Sequence, residues 1–328
     1  MKNCIASILL FLCLFKQERT AAQGPPASIK LKDIKLRDAC IVPDKKTGTY
    51  YMVGPGRSAS VVQYTSKDLV NWYGPQTIYK TPERHWGDTV IQSIWAPEMQ
   101  VYKGRYYLFV TFSTTTLLQE QWLAWRPRVV RGSAILVGDS PTGPFKALQN
   151  QAVLPPSMMT LDGTLWEENG IPYMVYAHEW VQVSNGTIEA VPMTADLSDT
   201  IGGPKLLFRA NSAPWVRIAS PTEGCYVTDA PYFMKSKSGK LFMIWSSFTE
   251  GGYTVGTAIS DSGKLAGPWR HDPKPLFSKD GGHGMLFTTF EGKLMMILHT
   301  PNNRDAQPHI YEVEDTGETV RMIGEMKG

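Results

Sequence analysis

Cysteine is scarce in this chain and neither sign of charge dominates. The 328 residues hold four cysteines, and 33 Lys and Arg stand against 30 Asp and Glu for a net charge of +3. A nearly balanced chain without a basic run is a poor partner for nucleic acid, whose affinity comes from neutralised phosphates. Long apolar runs are also missing. The strongest, from Cys4 to Phe15, covers about 12 residues where a bilayer needs about 20, so no stable membrane insertion is expected. After it, no 15-residue stretch carries helical periodicity. No nucleotide, haem or zinc motif is present, which leaves no organic cofactor to expect.

The apolar run itself has the form of a secretion signal. Lys2 precedes it and the small residues Thr20, Ala21 and Ala22 follow, with cleavage expected near Ala22 or Gln23. A lipoprotein signal would need a small residue before its cysteine, whereas Phe11 and Leu12 precede Cys13. Residues 1–23 are therefore read as a signal peptide and 24–328 as one exported domain, periplasmic or extracellular, and monomeric. Cleavage removes Lys2, Lys16, Arg19 and Glu18 and brings the charge to +1. Cys40 and Cys225 remain, either bridged in an oxidising compartment or, the favoured reading, a pair of buried thiols.

Aromatic residues are plentiful at 11%, and short apolar runs flank five recurring glycine turns. These glycines are Gly48, Gly104, Gly170, Gly239 and Gly292, spaced 56, 66, 69 and 53 residues apart. Strand pairs repeating at this period predict an all-β fold, a single five-bladed β-propeller. Asp-Ser and Gly-Pro turns recur at a fixed phase near Trp72, Phe145, Leu197 and Trp269, as outer hairpins of blades would. Residues 24–35 read as a polar lead-in strand that closes the ring against the last blade. Two insertions, 74–93 and 113–131, either line a binding face or pack on a neighbouring blade.

Counting back 8 to 10 residues from each glycine lands on Asp38, Trp95, Asp162, Asp229 and His283. Singly, such residues are more often turn or cap positions. In one register at the openings of five inner strands, they converge on one mouth, where carboxylates are costly to bury without a chemical use. Returning second strands bring His178, Glu179, Trp180, Ser246, Ser247 and His299 toward the rim. Trp95 and Trp180 are sugar platforms or ordinary core residues, with equal weight on each. Glu98 is expected to satisfy a backbone or Arg partner, and His85 and Arg304 are loop candidates for a binding subsite.

The motifs Arg37-Asp38, Trp95-Ala96-Pro97-Glu98, Leu161-Asp162-Gly163-Thr164 and Gly282-His283-Gly284 resemble glycoside hydrolase family 43 over nearly all of the mature chain. The resemblance implies Asp38 as general base, Asp162 as the carboxylate that sets the acid's proton affinity, and His283 as ligand of a central hydrated Ca2+. His299-Thr300-Pro301-Asn302 is close to a subgroup acting on arabinose- or galactofuranose-type sugars. Hydrolysis with inversion is expected, and because insertions that block the propeller mouth make a pocket rather than a cleft, the expected products are terminal α-L-arabinofuranose, β-D-galactofuranose or β-D-xylose released from an oligo- or polysaccharide. The family's acid is a Glu in blade four. This chain has Asp229 at that register and Glu223 in the entering loop, so both are candidates. A displaced acid also admits a non-catalytic carbohydrate-binding propeller. A retaining fructosidase-type propeller fits less well, because its Arg-Asp pair lies mid-chain.

Overall fold

The structure, a computed structural model, describes residues 27–220 and 224–327. The expected signal peptide and Glu223 lie outside the described residues. Each apolar run and its glycine turn becomes an antiparallel hairpin, and the hairpins group into five sheets. Blade one comprises β2 (Cys40–Asp44), β3 (Thr49–Gly56), β4 (Ser60–Ser66) and β5 (Asn71–Lys80), with β1 (Ile29–Lys30) added at its outer edge. Blade two is β6 (Ser93–Tyr102), β7 (Arg105–Leu117), β8 (Val129–Gly138) and β9 (Lys146–Ala147). Blade three is β10 (Thr160–Glu168), β11 (Ile171–His178), β12 (Thr187–Pro192) and β13 (Lys205–Arg209). Blade four is β14 (Asp229–Lys235), β15 (Leu241–Thr249), β16 (Gly252–Ser260) and β17 (Trp269–His271). Blade five is β18 (Gly282–Thr288), β19 (Leu294–Thr300), β20 (Gln307–Asp315) and β21 (Val320–Glu325).

The first strands of the blades contact one another in a closed circuit, β2 to β6 to β10 to β14 to β18 and back to β2. They form the wall of a central channel, so the fold is a five-bladed β-propeller. Apolar side chains fill the wedges between blades. Trp72 is fully buried in the sector joining blades one, two and five, and Trp245 in the sector joining three and four. All five turn glycines have positive φ, from 56° at Gly48 to 85° at Gly292, a conformation that L side chains resist. No helix among the described residues is long and apolar enough to cross a membrane.

Two details differ from the sequence reading. The lead-in strand pairs with blade one, Ile29 opposite Trp72 and Lys30 opposite Asn71, and not with the last blade. The last blade already has four strands from the C-terminal stretch, so its edge is complete without help. The segment touches blade five where Gln307 Nε2 donates to the Lys32 carbonyl at 2.6 Å. The register of the openings also shifts. The left-handed residue at each mouth is Asp38, Ala96, Asp162, Ala230 or His283, with φ between 43° and 55°. Trp95 and Asp229 therefore stand one residue before the equivalent positions.

Candidate active site

Left-handed backbone at five non-glycine residues costs roughly 1 kcal/mol or more each and is retained where it aims a side chain. In blades two to five a bulge accompanies it, as between Leu161 and Thr164 in blade three and between Gly282 and Met285 in blade five. Bulges re-aim side chains from the sheet face toward its end. Asp38, Asp162, Asp229, Trp95, Trp180 and His283 all line one cavity of about 450 Å³ at one mouth of the channel.

Asp38 is held as an anion. Arg37 Nε donates to Asp38 Oδ2 at 3.0 Å, and its Nη2 donates to Asn302 Oδ1 at 3.1 Å. Buried His299 takes the Asp38 backbone N–H on Nδ1 at 3.2 Å, and that nitrogen is 3.1 Å from Asp38 Oδ1. Burial alone would raise the Asp38 pKa, but His283, His299 and Arg37 overcome it and hold the carboxyl well below its usual range. Burial brings His283 itself down to about 4, so its ring is neutral at neutral pH. The side-chain donor that remains on the Asp38 carboxylate is then Arg37.

Asp162 and Asp229 meet the opposite environment. Asp162 Oδ2 accepts the Ala230 backbone N–H at 2.9 Å, which seats it beside Asp229. Burial, then the charge of Asp229, then that of Asp38 push Asp162 well above the ordinary carboxylate value. Burial likewise raises Asp229 to about 7, against a hydrogen bond from the Tyr253 hydroxyl to Oδ2 at 3.0 Å. Like charges confined in one dry pocket retain a proton between them near neutral pH. One carboxylate fixed as a base and a neighbouring pair that retains a proton is an acid–base division of labour.

A fourth carboxylate forms the pocket wall. Arg131 Nη1 donates to both oxygens of Glu179 at 2.5 Å, and the guanidinium lies 4.0 Å from the Trp95 ring centre. Trp95 is thereby held as a rigid flat surface. Replacing Arg131 by Met is expected to destabilise the fold by about 3–5 kcal/mol at pH 8, because Glu179 is left charged and buried. Burial already raises the Glu179 pKa against the pull of Arg131. Losing that cation raises it further, so the penalty should shrink toward pH 5, and urea unfolding at the two pH values measures it.

Trp180 opens a four-residue helix, α1 (Trp180–Val183), and the 113–131 insertion packs onto it. Trp125 Nε1 donates to the Val181 carbonyl at 2.6 Å, and fully buried Arg128 donates through Nη2 to that of Gln182 at 2.6 Å. That insertion therefore borders the pocket. The 74–93 insertion packs instead, with His85 edge-on against Phe112 at 5.3 Å. A second lobe of about 300 Å³ shares Arg37, Trp180, Asp229 and Tyr253 and extends to Arg126, Phe248 and Asn302.

Other candidates fall elsewhere. His178 lies behind the wall with Nδ1 3.3 Å from Glu189 Oε1 and Nε2 2.8 Å from Gln182 Oε1. The Arg304 side chain is 95% exposed and faces Asp305. Glu98 accepts from Thr164 Oγ1 at 2.6 Å and Gln100 Nε2 at 2.5 Å, not from backbone or arginine. Cys40 and Cys225 are buried thiols. Tyr253 and Arg131 were missed as site residues because they begin third strands, β16 and near the start of β8, and no motif marks them. One indirect signal existed: Gly282 precedes His283, and a Cβ there would lie 2.4 Å from the Tyr253 ring.

A sequence profile described as Glycosyl hydrolases family 43 matches residues 32–321. The chain belongs to that family. A solved structure described as an endo-arabinase from Bacteroides thetaiotaomicron is 38% identical, superposes with a TM-score of 0.80, and is covered over 100% of its length by 90% of this chain. A curated Streptomyces avermitilis protein named extracellular exo-alpha-(1->5)-L-arabinofuranosidase is 25% identical over 80% of this chain and 54% of its own. Alpha-L-arabinofuranosidase 43 of Humicola insolens is 26% identical over 65% of this chain and 44% of its own. The chain thus spans about half the length of these curated relatives. The pocket of this family 43 chain thus sets one carboxyl of low proton affinity against two of high proton affinity.

Proposed function

We propose that the protein is an inverting, exo-acting glycoside hydrolase that releases terminal α-L-arabinofuranose from arabinose-containing polysaccharide. The observation that carries this reading is the split environment of Asp38 against Asp162 and Asp229 within one cavity. Asp38 takes a proton from water as its oxygen attacks the anomeric carbon. Asp229 gives a proton to the departing glycosidic oxygen on the other side, and Asp162 keeps that proton on the acid by like-charge proximity. Trp95 and Trp180 offer flat apolar faces to the C–H patches of a sugar. Arabinose is favoured over galactofuranose and xylose because the relatives named above act on arabinosides or arabinan by their names. An exported location fits the leader-like N-terminus and the extracellular relative.

The test uses linear α-1,5-arabinan followed by proton NMR during the first turnover minutes. The expected result is free arabinose from the outset, released first as the β anomer. An α anomer would remove the inverting mechanism, and a ladder of oligosaccharides would replace exo with endo action. The endo reading has a specific support in the 38% identical endo-arabinase. Aryl β-galactofuranoside and β-xyloside are the parallel arms, and binding without release on any of them would favour a carbohydrate-binding propeller.

His283 is proposed to ligate a hydrated cation. Its Nε2 is buried and has no hydrogen-bond partner, so a ligand position is open there. Among the described residues no group of three His, Cys, Asp or Glu could hold a metal, so Ca2+ would keep most of its shell as water. With His283 as its protein ligand, such an ion would supply positive charge to the pocket. Metal analysis of the purified protein, with and without chelator, checks it; no bound cation in either sample would remove the idea.

A further inference from the structure

Tyr253 joins the two sides of the cavity. Its hydroxyl donates to Asp229 Oδ2 at 3.0 Å, and its ring stacks on His299, centroids 5.7 Å apart at 25°. His299 in turn accepts the Asp38 backbone N–H on Nδ1. The ring has no freedom to leave. Phe248 packs against it at 5.2 Å, the Tyr253 backbone N–H donates to Asp280 Oδ1 at 3.2 Å, and only a glycine at 282 leaves space for it. Buried on both faces and fixed at its backbone, the phenol is a preorganised donor aimed at one oxygen of one carboxyl.

We propose that Tyr253 is a positioning residue for the acid: by donating to Oδ2 of Asp229 it makes Oδ1 the oxygen that carries and delivers the proton. The inference rests on the reading of Asp229 as proton donor. A protonated Asp229 has one O–H, and an Oδ2 already engaged by the phenol is a poor place for it. The proton therefore sits on Oδ1. As the glycosidic bond breaks, that proton passes to the leaving oxygen and the electron pair of the O–H bond remains on Asp229. The new carboxylate keeps a charge-assisted bond from the phenol, which is stronger than the neutral bond before it. Tyr253 thus stabilises the product state of the transfer while leaving the donor oxygen unencumbered. An Asp is one methylene shorter than the Glu expected here, and a fixed partner on its far oxygen compensates by restricting its rotation.

The experiment compares wild type, Tyr253→Phe and Asp229→Asn on two arabinofuranosides, one with a methyl and one with a 2,4-dinitrophenyl leaving group. The dinitrophenolate leaves without a proton, so acid defects show only with the methyl glycoside. Asp229→Asn should lose at least about 100-fold on the methyl substrate and little on the other. Tyr253→Phe should lose about tenfold on the methyl substrate and under twofold on the other, and its alkaline limb should move up by about one pH unit. Site-specific 3-fluorotyrosine at 253 keeps the ring's packing but makes a stronger donor, and should move that limb down. Equal losses of Asp229→Asn on both substrates would end the acid reading and this inference with it. If Asp229→Asn discriminates while the limb stays put in both the Phe and fluorotyrosine proteins, the role of Tyr253 alone is overturned.

Discussion

Asp38→Asn should reduce turnover of an arabinofuranoside by about four orders of magnitude while the protein stays folded. The expected size follows from what is removed. In an inverting reaction the base takes the proton of the attacking water, and the other carboxyls lining this cavity, Asp162, Asp229 and Glu179, are all pushed above their ordinary pKa. Asp162 and Asp229 are pushed up and share a proton, and His283 points to the same spot but is held in place as a neutral ring. Its Nδ1 lies 3.6 Å from Asp38 and 3.8 Å from Asp162, too far to replace the lost carboxylate. The amide keeps the shape and can still accept from Arg37, so circular dichroism should be unchanged. Asp38 has a depressed folded pKa, so its contribution to stability is present above the unfolded value near 4 and fades as pH falls through the folded value. The variant should therefore melt lower than wild type at pH 7 and converge with it in strong acid. Retained turnover would remove Asp38 as base.

Much of this site could be read from the chain because a propeller converts sequence period into spatial convergence. The turn glycines fix the hairpins, the hairpins fix the inner strands, and the inner strands bring Asp38, Asp162, Asp229 and His283 to one mouth. What counting from glycines could not resolve is a single residue. The turn after the first strand is two residues long in blade three, between Glu168 and Ile171, and five in blade four, between Lys235 and Leu241, so Asp229 looked equivalent to Asp162 while the backbone makes Ala230 the equivalent. That offset has consequences. It lets Asp229 face the Tyr253 hydroxyl while the next N–H binds Asp162. Arg131 was hidden for another reason: it matters as the buried partner of Glu179 on a different blade, and pairing across blades leaves no local signature. Arg304 illustrates the converse, since a loop cation near a promising motif has no physical link to the pocket.

Asp162→Asn is expected to trade activity for stability. Asp162 touches the acid only through charge and through the Ala230 N–H, which an Asn oxygen can still accept. Its removal takes away the like charge that keeps a proton on Asp229, so the acid ionises earlier. The alkaline limb, near pH 7 if Asp229 sets it, should shift down, and turnover of substrates with poor leaving groups should fall by about 100-fold. Stability moves the other way. Both carboxyls have raised folded pKa values, so their favourable balance is complete below the unfolded value near 4 and is lost as pH rises through the folded values. With Asn at 162, melting temperatures should match wild type near pH 4 and exceed it by several degrees at pH 8. Parallel melting curves across that range, together with an unmoved alkaline limb, would show that Asp162 does not govern the proton on Asp229. A wild-type fold that weakens above pH 5 where the variant does not would show the reverse: the pocket holds its carboxyls together at a cost in stability that only the chemistry justifies.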